Sequence, residues 1–203
     1  MIIAQIATMP GREKTLEIAC NSLKNQVNFL KVIKNAPLDG MKFAGLKDYS
    51  MDDIIFVCDD DIEYPPDFVE TMVRHLSYGA VYTVMGKILK PRPIQSYYQD
   101  YEKLYQTFDD NEKLVEVEIP GTCGMVFHRS TCPDLDGTFF KSMNSDIWMA
   151  IYCKEHNIPA FVVPHKGDWL KNLMPMLPKD TFSVYNNFHD NDKEMTDLIN
   201  ERL

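Results

Sequence analysis

Three consecutive aspartates, Asp59, Asp60 and Asp61, directly follow the apolar run Ile54–Cys58. Adjacent carboxylates repel one another, so a fold that keeps them together needs a cation nearby, and hard divalent metals prefer carboxylate oxygens. The apolar run predicts a strand buried on both faces, and ligands of open α/β sheets bind beyond the carboxyl ends of such strands. Alternate residues of extended backbone point the same way. Asp59 and Asp61 are therefore expected to share a metal site, whereas an acidic run without this context is more often a solvated loop.

A second polar segment, Thr8-Met9-Pro10-Gly11-Arg12, connects an apolar strand pattern to a helical one. A helix N-terminus offers free N–H groups, and the guanidinium of Arg12 suits phosphate. The spacing is not that of a phosphate-binding Walker loop. A plain strand–helix turn explains the segment equally well.

Two further residues stand at the ends of predicted elements. Asp146 lies in Asn144-Ser145-Asp146 at the start of a helix, where Ser145 could cap the helix and Asp146 could favour its dipole. Alternatively, Asp146 points into a cleft as a general base. His165 ends the run Val162-Val163-Pro164, and neutral imidazole is a common metal ligand, although most lone histidines are structural.

The order of the elements predicts the fold class. The patterns predict strands at 2–8, 29–33, 53–58, 80–89, 114–119, 121–128 and 160–163, and helices at 13–25, 66–77, 145–155 and 190–203. The tyrosine-rich stretch 96–111 is predicted to be a helix or a loop near the substrate, although tyrosines more often simply cover a sheet. Strands that alternate with helices indicate an α/β protein with a mixed, mainly parallel central sheet flanked by helices. We expect residues 1–203 to form a single domain.

The bulk composition excludes several classes of protein. The chain has 203 residues, 45% of them apolar, and a net charge of −9, whereas a nucleic-acid-binding protein normally carries a basic face. Five scattered cysteines without a Cys-x-x-Cys pair favour reduced thiols over disulfides or a zinc site. No apolar run approaches the about 20 residues that a membrane span needs, and the first residues lack a signal-peptide pattern. We therefore expect a soluble, cytoplasmic protein that binds no nucleic acid.

Taken together, these motifs resemble the GT-A (Rossmann-like) glycosyltransferases, most closely those of family 2, over about residues 2–170. The segments that carry the resemblance are Ala7-Thr8-Met9-Pro10-Gly11-Arg12, Gly40-Met41-Lys42-Phe43-Ala44-Gly45, Ile54 to Asp61, Gly121-Thr122-Cys123-Gly124-Met125-Val126-Phe127 and Asp146. The chain is also similar to viral members of this group that glycosylate a capsid, which implies the host cytoplasm as its location. Such a domain can be part of a longer chain.

The resemblance implies a nucleotide-diphosphate sugar donor such as a UDP-sugar, a glycan or glycoprotein acceptor, a Mn²⁺ or Mg²⁺ cofactor, and transfer with inversion. It implies Asp146 as the catalytic base and Asp61, Asp59 and His165 as metal ligands. The implied nucleotide-sugar contacts are Thr8, Pro10, Arg12, Asn35, Lys42, Asp59, Asp60, Gly121 and Cys123.

Two departures from the family pattern leave parts of this assignment open. Ser145-Asp146 stands where the family often has an acidic pair, and the usual aspartate after the second strand is replaced by Asn35 or displaced to Asp39. A sugar-1-phosphate nucleotidyltransferase is an alternative, but its Gly-rich basic loop after the first strand is missing. A metal-dependent hydrolase would need more ligands. A non-catalytic sugar- or partner-binding module would have no reason to keep the three aspartates with Asp146 and His165.

Overall fold

The computed structural model describes residues 1–140, 144–178, 181 and 192–203. Within these residues the strands are β1 (Ile2–Thr8), β2 (Phe29–Lys34), β3 (Ile54–Cys58), β4 (Ile62–Glu63), β5 (Val81–Thr83), β6 (Gly86–Leu89), β7 (Tyr101–Tyr105), β8 (Val115–Glu116), β9 (Ile119–Pro120), β10 (Gly124–His128), β11 (Ala160–Val162) and β12 (Lys171–Asn172). The helices are α1 (Glu13–Leu23), α2 (Phe68–His75), α3 (Ser145–Glu155) and α4 (Lys193–Arg202). Short 3₁₀ turns include Asp39–Phe43, between β2 and β3.

The central sheet has seven strands in the order β2-β1-β3-β10-β5-β11-β8. Strand β1 pairs in parallel with β2 and β3, and β5 pairs in parallel with β11. Strand β10 runs antiparallel to β3 and β5, and β8 runs antiparallel to β11. Five of the seven strands therefore point in one direction, which confirms the predicted mixed, mainly parallel sheet.

Hydrophobic side chains cover both faces of this sheet. Ile55 and Val57 of β3 belong to one core cluster, together with residues of α3 and α4. Phe56 and Cys58, which alternate with them, belong to a second cluster with residues of α1 and α2. Since successive side chains of a strand point to opposite faces, the continuous apolar run of β3 is buried between two layers of helices. The fold is a Rossmann-like α/β architecture, as predicted.

Two smaller sheets differ from the sequence prediction. The predicted strand at 80–89 is divided into β5 and β6, and β6 joins a separate three-stranded sheet in the order β7-β6-β9. At Gly86, a Cβ atom would lie only 2.8 Å from Val117 Cγ2, so close packing explains why a glycine begins the new strand. Part of the tyrosine-rich stretch 96–111 forms β7, where a helix or a loop was predicted, and the predicted strand at 114–119 is divided into β8 and β9. A two-stranded sheet pairs β4 with β12.

Aromatic packing fixes the turn Asp39–Phe43. The rings of Phe43 and Phe140 are stacked with their centroids 4.6 Å apart. A Cβ atom on Gly40 would lie 2.5 Å from Phe140 Cβ, which is closer than two carbon atoms can approach without movement. Glycine at position 40 therefore allows the turn to pack against this stack.

We expect Gly40→Ala to lower the free energy of unfolding by about 1–3 kcal/mol, the usual cost of overpacking a well-packed site. Urea unfolding followed by circular dichroism would measure the change. A variant that unfolds at the same urea concentration as the wild type would show that the turn can move away from Phe140 without cost.

No helix within the described ranges is long and apolar enough to cross a membrane.

Candidate functional site

A cleft of about 600 Å³ lies where β1 and β3 end and α3 begins, a size typical of sites for small molecules and cofactors. Its wall includes Thr8 at the end of β1, the three aspartates after β3, and Asp146 in the first turn of α3. The parallel pairing of β1 with β3 brings the two strand ends to the same edge of the sheet. The other polar and aromatic residues of the wall are Arg12, Asp39, Lys42, Lys87, Tyr97, Tyr98, Tyr101, Gln106, Thr122, Asn144 and Ser145.

The residues that leave β1 contact the acidic residues that follow β3. Thr8 Oγ1 donates a hydrogen bond to Asp60 Oδ2 over 2.5 Å. Arg12 Nη1 donates to Asp60 Oδ1 at 2.6 Å and to Asp61 Oδ2 at 3.0 Å. Burial and the neighbouring charges of Asp59 and Asp60 raise the pKa of Asp61 to about 6, although Arg12 opposes this effect. The guanidinium predicted to contact phosphate is therefore engaged by two carboxylates.

Asp59 is paired with a different cation, Lys42. Lys42 Nζ donates to Asp59 Oδ1 over 2.5 Å, and the Lys42 side chain is only 4% exposed whereas that of Asp59 is 33% exposed. Gln5 of β1 donates to the Lys42 carbonyl and so fixes the turn that carries the lysine. Burial alone lowers the pKa of a lysine, but the charges of Asp59 and Asp39 outweigh it and raise the pKa of Lys42. The ammonium is therefore the main internal counter-charge at this end of the cleft.

Asp146 is held by Thr122 of the segment before β10. Its Oδ1 accepts hydrogen bonds from the Thr122 backbone N–H at 2.8 Å and from Thr122 Oγ1 at 2.7 Å. No described residue donates to its Oδ2. Burial raises the pKa of Asp146, while Lys42 and the two hydrogen bonds from Thr122 act in the opposite direction. Asp146 is thus an oriented carboxylate on the cleft wall with one oxygen available to a ligand.

The interpretation of Ser145 as the helix cap is wrong. Asn144 is the N-cap residue of α3, and its side chain makes no capping hydrogen bond to the helix. The Ser145 hydroxyl oxygen instead lies 2.5 Å from Asp39 Oδ2, and the Ser145 backbone N–H donates to the same oxygen at 3.2 Å. Asp39 therefore satisfies the first N–H of the helix from a distant turn.

The charges of the cleft fit a divalent cation. Its wall contains five carboxylates, from Asp39, the three aspartates after β3, and Asp146, but only three cationic groups, from Arg12, Lys42 and Lys87. The carboxyl groups outnumber the cationic groups by two, so the cleft has an excess of acidic groups that favours binding of a cation. Within the described ranges, no three His, Cys, Asp or Glu side chains are grouped to hold a metal ion. A metal would accordingly use one or two carboxylates together with substrate phosphate oxygens and water, as Mg²⁺ usually does.

Of the remaining residues predicted from sequence, Cys123 belongs to the cleft wall and the others do not. Cys123 lines the cleft, and burial raises the pKa of its thiol. Pro10 and Asn35 are exposed and stand next in sequence to the wall residues Met9 and Ala36. Gly121, Pro10 and Asn35 are not part of the wall itself.

His165, a predicted metal ligand, is not placed on the cleft wall. Its Nδ1 lies 2.9 Å from the Val163 carbonyl, and its backbone pairs with Asn111. Its Nε2 is buried without a hydrogen-bond partner among the described residues. The structure therefore does not group His165 with Asp59 and Asp61.

Sequence analysis missed Lys87, which lies on β6 and is buried in the cleft wall. Its Nζ donates to the Tyr97 carbonyl at 3.1 Å and lies 3.4 Å from the centroid of the Tyr97 ring and 4.9 Å from that of Tyr98. Burial lowers the pKa of Lys87 to about 8, partly offset by the charge of Asp146. An isolated lysine inside an otherwise apolar strand pattern was the available signal.

Comparisons with known proteins give structural likeness only. No protein-family model matches the chain, and no curated protein matches it. The structure of A197 from STIV is 16% identical with a TM-score of 0.49, covering 84% of this chain and 83% of that one. A nucleotidyl transferase from a Methanothermobacter species is 14% identical with a TM-score of 0.47, covering 82% of this chain and 88% of that one. Neither likeness is strong enough to assign an activity.

Proposed function

We propose that this protein is a glycosyltransferase that moves a sugar from a nucleotide-diphosphate donor, such as a UDP-sugar, to a hydroxyl of a glycan or glycoprotein acceptor, with inversion. The observation that carries the proposal is that the acidic end of β3 and the oriented carboxylate of Asp146 line one cleft. The acidic end of β3 suits the binding of a metal–diphosphate, and Asp146 suits the role of proton acceptor. A capsid protein as acceptor and the host cytoplasm as location rest on the sequence resemblance alone.

Asp61 and Asp59 are the residues that would hold Mn²⁺ or Mg²⁺, because they present carboxylate oxygens beside the cleft. The metal ion would supply positive charge that stabilises the departing diphosphate. Arg12 fixes Asp60 and Asp61 in place, and Lys42 does the same for Asp59. These two cations therefore orient the acidic residues before any substrate binds.

Asp146 acts as the general base in this proposal. It takes the proton of the acceptor hydroxyl while the oxygen attacks the anomeric carbon, and the sugar–phosphate bond breaks. The hydrogen bonds from Thr122 fix Oδ1 and leave Oδ2 for the acceptor. Burial raises the pKa of Asp146 above its ordinary value, which makes the carboxylate a stronger base.

The nucleotidyltransferase alternative predicts a different reaction at the same cleft. It would join a nucleoside triphosphate to a sugar-1-phosphate and release pyrophosphate, whereas sugar transfer releases a nucleoside diphosphate. A nucleotidyltransferase needs a basic loop after the first strand to bind the triphosphate. Arg12 is the cation of that loop here, and its ion pairs with Asp60 and Asp61 occupy it, which favours sugar transfer. Analysis of the products formed from each substrate pair separates the two reactions. A hydrolase would release free sugar without an acceptor, and a binding module would form no product.

Thermal unfolding with UDP, GDP and other nucleoside diphosphates, each with Mn²⁺ or with EDTA, tests the proposal. We expect one nucleotide to raise the apparent stability in Mn²⁺ and not in EDTA, by about 2.7 kcal/mol at a hundredfold excess over its dissociation constant. Asp61→Asn should abolish the shift, whereas Asp52→Asn, which changes an exposed aspartate, should keep it.

The Asp61→Asn variant itself should remain folded. The folded-state pKa of Asp61 is raised to about 6, above its ordinary value of 3.8. Its charge is therefore unfavourable in the folded protein above pH 6, an effect that disappears as the pH falls. The neutral amide removes this cost at neutral pH. Equal shifts in Mn²⁺ and EDTA, or no shift with any nucleotide, would contradict the proposed metal-dependent donor site.

A further inference from the structure

A chain of short oxygen–oxygen contacts joins Asp146 to Asp39. Thr122 Oγ1 lies 2.7 Å from Asp146 Oδ1 and 2.7 Å from Ser145 Oγ. Ser145 Oγ lies 2.5 Å from Asp39 Oδ2. All three distances are within the range of O–H···O hydrogen bonds. Two carboxyl groups on separate elements, the turn Asp39–Phe43 and helix α3, are thus connected by two hydroxyls.

The number of hydrogen atoms available to these three contacts decides how many of them can be hydrogen bonds. Each hydroxyl supplies one hydrogen, so Ser145 and Thr122 together can form two of the three hydrogen bonds. With both carboxyl groups ionised, one contact of 2.5–2.7 Å would join two oxygens without a hydrogen between them. One carboxyl proton, on Asp39 or on Asp146, completes all three. The series of contacts from Asp39 to Asp146 therefore has a place for one additional proton.

We propose that Asp39 and Asp146 hold one proton between them through Ser145 and Thr122, which makes Asp39 a positioning residue for the base. This inference rests on the proposed function where it concerns catalysis. When Asp146 takes the proton of the acceptor hydroxyl, that O–H bond breaks, and the oxygen's electron pair forms the bond to the anomeric carbon. The sugar–phosphate bond breaks with its electron pair on the diphosphate. In the resting pair the shared proton lies on Asp39 and Asp146 is ionised, so the new O–H bond forms on Asp146 Oδ2, the oxygen that the hydrogen bonds from Thr122 leave available.

The hydrogen bonds from backbone groups favour Asp39 as the resting place of the proton. The Thr122 N–H donates to Asp146 Oδ1 at 2.8 Å, whereas the Ser145 N–H donates to Asp39 Oδ2 at the longer distance of 3.2 Å. The shorter bond stabilises the ionised form of Asp146 more strongly. Asp39 Oδ1 is moreover buried without a hydrogen-bond partner among the described residues, which disfavours a charge on that carboxyl group.

The charges around the pair are compatible with uptake of a proton near neutral pH. Burial raises the pKa of Asp39 to about 6, and the charge of Asp146 acts in the same direction. Lys42 faces both carboxyl groups and favours their ionised forms, whereas Asp59 favours a protonated Asp146. Lys87 and the titratable side chains of Tyr97 and Cys123 also interact electrostatically with Asp146. One cation close to both carboxylates cannot neutralise them together, so a shared proton removes the remaining repulsion.

A titration of carboxyl ¹³C signals in aspartate-labelled protein tests the inference without any substrate. Asp39→Asn and Asp146→Asn assign the two signals. In the wild type, we expect both signals to move together at one apparent pKa, because the proton belongs to the pair. In Thr122→Val the hydroxyl is lost and the two signals should titrate separately, whereas Thr122→Ser keeps the hydroxyl and should titrate as the wild type does. Independent titration in the wild type would overturn the inference.

Kinetics adds a second readout. We expect Ser145→Ala and Asp39→Ala each to lower kcat and to move the acidic limb of its pH profile, and the double variant to be no slower than the slower single one, since both break the same chain of hydrogen bonds. Ser130→Ala, which removes an exposed hydroxyl, is the control. Additive losses with an unmoved pH profile would overturn the inference. Joint titration together with a complete lack of sugar transfer would support the shared proton and refute the glycosyltransferase proposal instead.

Discussion

Asp146→Asn is expected to lower the rate of sugar transfer by about 10²–10⁴-fold, the usual contribution of general acid–base catalysis, while nucleotide binding stays unchanged. Asparagine keeps an oxygen that can accept both hydrogen bonds from Thr122, so the start of α3 should remain in place. The amide cannot take the proton of the acceptor hydroxyl. Release of nucleoside diphosphate in the presence of acceptor measures the rate, and calorimetric titration with the nucleotide measures binding.

The control for this variant is Asp197→Asn, which changes an exposed aspartate on helix α4. We expect it to transfer sugar at the wild-type rate. Near-normal transfer by Asp146→Asn would refute the base assignment. Loss of both binding and transfer would assign Asp146 to the donor site instead.

The sequence predicted the parts of the site that depend on local pattern. The buried run Ile54–Cys58 followed by the three aspartates, and a helix beginning at Ser145, are both present as predicted. Continuous apolar residues determine a strand buried on two faces, and the parallel pairing of β1 and β3 then brings their ends together. The ends of regular elements were therefore accessible to sequence reasoning.

The parts that sequence analysis missed depend on contacts between distant residues. Asp39 is 106 residues from Ser145, and nothing local to either residue indicates that they are hydrogen-bonded. Lys87 can be buried in strand β6 because its ammonium is held by the Tyr97 carbonyl and ring, and the sequence pattern does not show that contact. The predicted role of Ser145 as a cap was wrong for the same reason, since Asp39 takes the N–H that a local cap would serve.

Lys42→Met is expected to lower the free energy of unfolding by about 3 kcal/mol, at the lower end of the range for removal of one partner of a buried ion pair. Lys42 is almost fully buried, and its charge faces Asp59, Asp39 and Asp146. Methionine fills a similar volume but leaves these carboxylates without their main counter-charge. The loss is not larger because Asp59 is one-third exposed and can be solvated by water. Urea unfolding at pH 7 measures the change.

The exposed pair Lys171–Glu63, with an N–O distance of 3.0 Å, provides the matched control, because Lys171→Met should change stability by less than about 1 kcal/mol.

Lys42→Met should also regain stability as the pH falls from 7 to 5. Without the lysine, the folded-state pKa values of Asp39 and Asp146 rise further above their unfolded values, so the destabilisation is present at high pH and is relieved on protonation. The double variant Lys42→Met/Asp59→Asn removes one uncompensated charge and should recover part of the loss at pH 7. If Lys42→Met were as stable as Lys171→Met at every pH, Lys42 could not be the cation that holds the acidic cleft together.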